Sequence, residues 1–120
     1  MLDHIAKPRI REGGLEPWKT NILHLAERPN VYCKLSGMVT EADWLMWSLN
    51  QLRPYFEHVL AAFGPSSLMF GSDWPVLTLA ADYAKWLKTV EEWLGALSGP
   101  EACAIRYGNA IRVYQLQIEA

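Results

Sequence analysis

A chain of 120 residues with 51% hydrophobic and 20% charged residues has the balance of a folded globular segment, which excludes a disordered or fibrous chain. With 11 Lys and Arg against 13 Asp and Glu the formal charge is −2, and no basic run or basic-aromatic stripe occurs, so nucleic acid is excluded as a partner. The apolar runs fall short of the ~20 residues that a membrane span needs, and Met1 to Ala6 lacks the basic start and apolar core of an export signal, so a soluble, cytoplasmic protein is expected.

In chain order, Leu2-Asp3-His4-Ile5-Ala6 reads as the end of a buried strand, followed by a loop from Lys7-Pro8-Arg9 to Gly13-Gly14-Leu15-Glu16-Pro17. Pro17 or Trp18 opens a helix in which Trp18, Ile22, Leu25 and Ala26 recur at spacings of three and four, and Arg28-Pro29-Asn30 ends it. Val31 to Leu35 is a second strand, carrying Cys33 and stopped by Ser36-Gly37. The amphipathic stretch Leu49 to Phe63 follows, its helix expected to start near Leu52 or Arg53 so that Pro54 falls in the first turn. Leu68-Met69-Phe70-Gly71 is a third strand and Ser72-Asp73-Trp74-Pro75 the loop after it. Leu79 to Leu97 is a helix with Tyr83, Trp86, Leu87, Val90, Trp93 and Leu94 on one face. Ser98 and Glu101 form a capping box for a further helix, and Asn109 to Leu116 supplies a last turn or two. Cys33 and Cys103 lie in apolar patterns without CxxC spacing and read as reduced thiols.

Three strand-helix repeats predict an α/β fold with a parallel sheet, because parallel neighbours need a crossover and a helix is the usual one. Polar chemistry in such folds gathers at the C-terminal ends of the strands. His4, Ser36 and Asp73 fall there. Three strands alone leave bare edges, so the segment is expected to complete something larger. An eight-unit barrel of about 250 residues spends roughly 30 per unit, which three units plus terminal helices match. His4 is a candidate metal ligand or carbonyl-polarising group. Asp73 is the sharper candidate, because a carboxylate at the end of an apolar strand loses hydration unless it is paired or working. His24 and His58 sit within helical patterns and read as surface or structural.

The blocks Leu2-Asp3-His4-Ile5-Ala6-Lys7-Pro8, Cys33-Lys34-Leu35-Ser36-Gly37, Thr40-Glu41-Ala42-Asp43-Trp44 and Met69-Phe70-Gly71-Ser72-Asp73-Trp74-Pro75-Val76 carry a resemblance. In order and spacing, up to Asn109-Ala110 and Tyr114, the chain resembles the C-terminal portion of the amidohydrolase-related family that contains L-fuconolactonase and L-rhamnonolactonase-like enzymes. The resemblance implies a partial (β/α)8 TIM barrel over residues 1–120, with His4, Ser36 and Asp73 at the ends of strands six, seven and eight.

It further implies a hydrolase that opens a sugar lactone by water attack on the carbonyl, with Asp73 as base and His4 as its partner. Another carboxylic substrate, hydrolysed or decarboxylated, and an inactive truncated fragment are the alternatives. Lys7, Ser36 and Trp74 would meet the substrate, a small sugar lactone, and Trp44 is a weaker stacking candidate. His4 and Asp73 would be the ligands if a divalent ion, zinc or manganese, is used; related lactonases also work without one, which leaves the cofactor open. The first-strand His-x-His motif of the family does not occur in these residues. The expected partners of the site are therefore an N-terminal barrel half or, failing that, a second copy.

Overall fold

The computed structural model of the chain describes residues 1–119. Two short strands, β1 (Cys33–Leu35) and β2 (Leu68–Phe70), pair in parallel with Cys33 opposite Leu68 and Leu35 opposite Phe70. Leu2 forms an isolated parallel bridge with Cys33, through Leu2 N–H to Tyr32 O (2.7 Å) and Lys34 N–H to Leu2 O (2.9 Å). Three parallel segments thus lie side by side with β1 in the middle. The helices are α1 (Trp18–Ala26), α2 (Leu49–Phe63), α3 (Tyr83–Leu94), α4 (Gly99–Cys103) and α5 (Asn109–Tyr114), the last two joined by a π-helical turn over Ala104–Gly108.

The strand-helix alternation exists because each strand contributes apolar side chains to one face and each helix covers them with a stripe. Cys33, Leu35 and Leu68 are fully buried, and so are Ile22, Leu52, Val59, Trp86, Val90 and Leu94 from the helices. Phe56 stacks on Trp93 at 4.7 Å between ring centroids, and Trp93 meets Trp86 edge-on at 6.1 Å, joining α2 to α3. Of the six tryptophans, Trp47, Trp86 and Trp93 lie in this core and Trp18 packs against it.

Several element boundaries differ from the sequence reading. The first strand ends at Leu2, because Asp3–Ala6 turns sharply and His4, Ile5, Ala6 and Lys7 all have positive φ (54°, 46°, 62° and 49°). The second helix starts at Leu49, where the Ser48 hydroxyl accepts from Gln51 N–H at 3.2 Å, so Pro54 lies inside it. The proline is tolerated because it is on the exposed side while Leu52, Tyr55, Phe56 and Val59 anchor the opposite stripe. The expected long helix from Leu79 divides into a 3-10 turn, Val76–Leu79, and α3, because the Asp82 carboxylate accepts from Lys85 N–H at 2.7 Å and sets a new start. The Ser98–Glu101 capping box is present as read.

Candidate active site

The strand ends bring together three residues from three successive units. His4 Nε2 lies 3.3 Å from Asp73 Oδ1, and His4 Nδ1 lies 2.7 Å from Ser36 Oγ. Ser36 follows β1 directly and Asp73 follows β2 by three residues. The imidazole is therefore held on both sides by groups distant in sequence.

Local backbone geometry makes the cluster possible. Four successive residues from His4 to Lys7 adopt the left-handed region, which costs roughly 1–2 kcal/mol for each residue with a Cβ. Several contacts hold that turn. Ile5 is fully buried, Trp18 Nε1–H donates to Ile5 O at 2.6 Å, and Lys7 N–H donates to His4 O at 2.9 Å. Asp73 also has a positive φ of 58°, and its carbonyl accepts from Leu77 N–H at 2.8 Å. Glycines supply the room: a Cβ on Gly37 would stand 2.6 Å from His4 Cβ, and one on Gly71 would stand 3.2 Å from Ser36 Cβ. The indole of Trp86 donates to Gly71 O at 2.7 Å and so fixes the strand end from below.

The surroundings of Asp73 are unusual. Its side chain is 12% exposed, Oδ1 faces His4, and Oδ2 is buried with no hydrogen-bond partner. A buried carboxylate oxygen without a donor is costly, so this atom points to a group that arrives from outside these residues: water, substrate or a cation. His4 and Asp73 offer the nitrogen and oxygen donors that a divalent ion such as zinc accepts, and Asp73 Oδ2 is the free one. They fit such an ion as two of its ligands. Among the described residues no group of three His, Cys, Asp or Glu side chains could hold one, so the remaining ligands would come from elsewhere.

The other expected residues divide. Lys7 stands on the loop after His4 with Nζ 3.3 Å from Glu41 Oε1, and the indole of Trp74 is 67% exposed beside Asp73. Ser36, expected on an open mouth loop, is instead 1% exposed and engaged with His4. Lys34 pairs with Asp3 at 3.1 Å; their hydrogen bond is the main cause that raises the lysine above its ordinary range and lowers the Asp3 carboxyl. Trp44 is exposed and its Nε1–H donates to Thr40 O. His24 is exposed on α1, and His58 Nε2 lies 2.9 Å from Lys19 O on α1 with its ring against Trp18, so both histidines are structural or surface groups. Burial pushes the Cys33 thiol up to about 12, while Cys103 is half-buried and free. The Ser36–His4 contact and the supporting role of Trp86 are absent from the sequence reading. The glycines after Ser36 and Phe70 were the only signals available for close approach there.

The amidohydrolase family profile matches residues 1–116. The chain belongs to the amidohydrolase family. Among curated members it is 43% identical to an L-fucono-1,5-lactonase from Burkholderia multivorans, over 97% of this chain and 43% of the relative. It is 27% identical to an L-rhamnono-gamma-lactonase from Scheffersomyces stipitis, over 82% of this chain and 33% of that protein. The crystal structure of a Burkholderia multivorans amidohydrolase with bound zinc superposes with a TM-score of 0.92 at 44% identity, covering 97% of this chain and 43% of that one. The chain thus spans less than half the length of these amidohydrolase relatives, and its fold is the corresponding part of an amidohydrolase TIM barrel. No helix among the described residues is long and apolar enough to cross a membrane.

Proposed function

We propose that these residues form the C-terminal part of a sugar-lactone hydrolase barrel acting on lactones of the L-fuconolactone and L-rhamnonolactone class. The observation that carries this reading is the Asp73 carboxylate, whose Oδ2 is buried and unpartnered while Oδ1 lies 3.3 Å from His4 Nε2. Asp73 takes a proton from water as its oxygen bonds to the lactone carbonyl carbon. The carbonyl π pair moves to oxygen, and His4 together with groups from the rest of the barrel stabilises that oxyanion. Collapse of the intermediate breaks the ring C–O bond, and the proton held by Asp73 passes to the departing alkoxide. The product is the open hydroxy acid. Lys7 and Trp74, on the loops flanking His4 and Asp73, would meet sugar hydroxyls and the ring face. A divalent ion, where one is used, would be held by His4 and Asp73 and would acidify water and polarise the carbonyl.

The test needs a complete barrel, made by joining the chain to the preceding portion of the Burkholderia multivorans relative. Acid release from a panel of sugar lactones is expected for that protein, and Asp73→Asn is expected to lower kcat by about 10²- to 10⁴-fold. Failure to open any lactone would remove the substrate class. Undiminished turnover by the Asn variant would remove Asp73 as base.

A further inference from the structure

Ser36, His4 and Asp73 have the connectivity of hydroxyl, imidazole and carboxylate that activates serine nucleophiles, but burial decides against that use. Ser36 is 1% exposed and packs against Gly71, where a single added carbon would stand 3.2 Å from its Cβ, so no substrate carbonyl reaches its oxygen. The useful information is in what holds the imidazole. His4 Nε2 faces Asp73 Oδ1 at 3.3 Å, and on the other side of the ring the Ser36 hydroxyl lies 2.7 Å from Nδ1, within hydrogen-bond distance.

We propose that Ser36 is a positioning residue, whose hydroxyl hydrogen-bonds to His4 Nδ1 and thereby holds the imidazole with Nε2 turned toward Asp73 and the reacting centre. The surroundings are built for this contact. Gly37 and Gly71, which follow the ends of successive strands, each lack the carbon that would push the imidazole or the serine away. The ring sits on a left-handed turn whose other contacts, Trp18 Nε1–H to Ile5 O and Lys7 N–H to His4 O, hold backbone atoms, so the hydroxyl just after β1 is what tethers the ring. The functional part of the proposal rests on the lactonase reading; the hydrogen-bond part does not.

Two measurements test it separately. In solid-state ¹⁵N spectra of the hydrated chain, with His24→Gln and His58→Gln assigning the signals, Ser36→Ala should shift the His4 Nδ1 resonance and Ser36→Thr should restore it. An unchanged Nδ1 resonance in Ser36→Ala overturns the assignment. In the completed barrel, Ser36→Ala should lower kcat by about 10- to 100-fold with KM little changed, and Ser36→Thr should recover most of the loss. A raised KM with unchanged kcat would mean instead that Ser36 touches substrate. Absence of any lactone turnover in the unsubstituted barrel counts against the lactonase reading, while the spectra still decide for or against the tether.

Discussion

Gly37 carries the tightest constraint at the site, combining a φ of +65° with the closest approach to His4. Gly37→Ala therefore meets both a left-handed penalty and a contact with imidazole carbons that has no flexible end to swing aside. It should destabilise the completed barrel by about 1–3 kcal/mol in urea unfolding and lower lactone turnover further than the stability loss explains. Gly71→Ala, at a position without positive φ and against a small serine, should be the milder of the two; the reverse order would contradict this account of the site. At this scale the sequence shows residue types but not contacts. Asp73 and His4 were legible because a carboxylate and an imidazole at apolar strand ends are conspicuous. Ser36 was legible as a strand-end residue but not as a partner of His4, since hydroxyls are common in loops and their partners depend on tertiary packing.

At the scale of elements, α4 depends on a reciprocal cap in which Glu101 N–H donates to Ser98 Oγ and Ser98 N–H donates to Glu101 Oε1. The Ser98 backbone N–H is the main cause holding the Glu101 carboxyl below its ordinary range. Because the folded value is depressed, this support is fully present above the ordinary carboxylate range and is lost as pH falls through the depressed value. Ser98→Ala should cost about 1 kcal/mol, read as faster amide exchange across α4 and α5, and Glu101→Gln should weaken the acid dependence of that exchange. Equal exchange in all three proteins would show that the cap adds nothing. Caps with a fixed spacing were readable in the sequence, as this box shows. The start of α3 was not, because Asp82 competes with an apolar pattern that runs on through Leu77 and Leu79. The start of α2 is less legible, because Pro54 signals a first turn as strongly as Ser48 signals a cap.

For the whole molecule, the radius of gyration of 13.8 Å is close to the ~13.6 Å expected of an ordinary compact domain of this length. The helix-side core is closed. What remains open is the outer edge of each flanking segment, beside Leu2 and beside β2, a hollow of about 400 Å³ lined by residues including Lys7, Pro8, Trp18 and Ile22, and exposed apolar side chains such as Leu23 and Leu25 on α1. A chain with this pattern, expressed by itself, should self-associate through its edges while keeping its helical signal, as seen by light scattering beside circular dichroism. A monodisperse monomer with a cooperative melt would count against the proposal that further strands complete the barrel. The alternation of strands and helices made this architecture legible, whereas the shape of the open edge required coordinates. The left-handed turn at His4 also orders events during synthesis. It is translated before every group outside the turn that offsets its strain, Trp18, Tyr32, Lys34, Ser36 and Asp73 among them. The histidine of the site is thus made before the groups that shape it, held in waiting until the middle strand emerges to receive it.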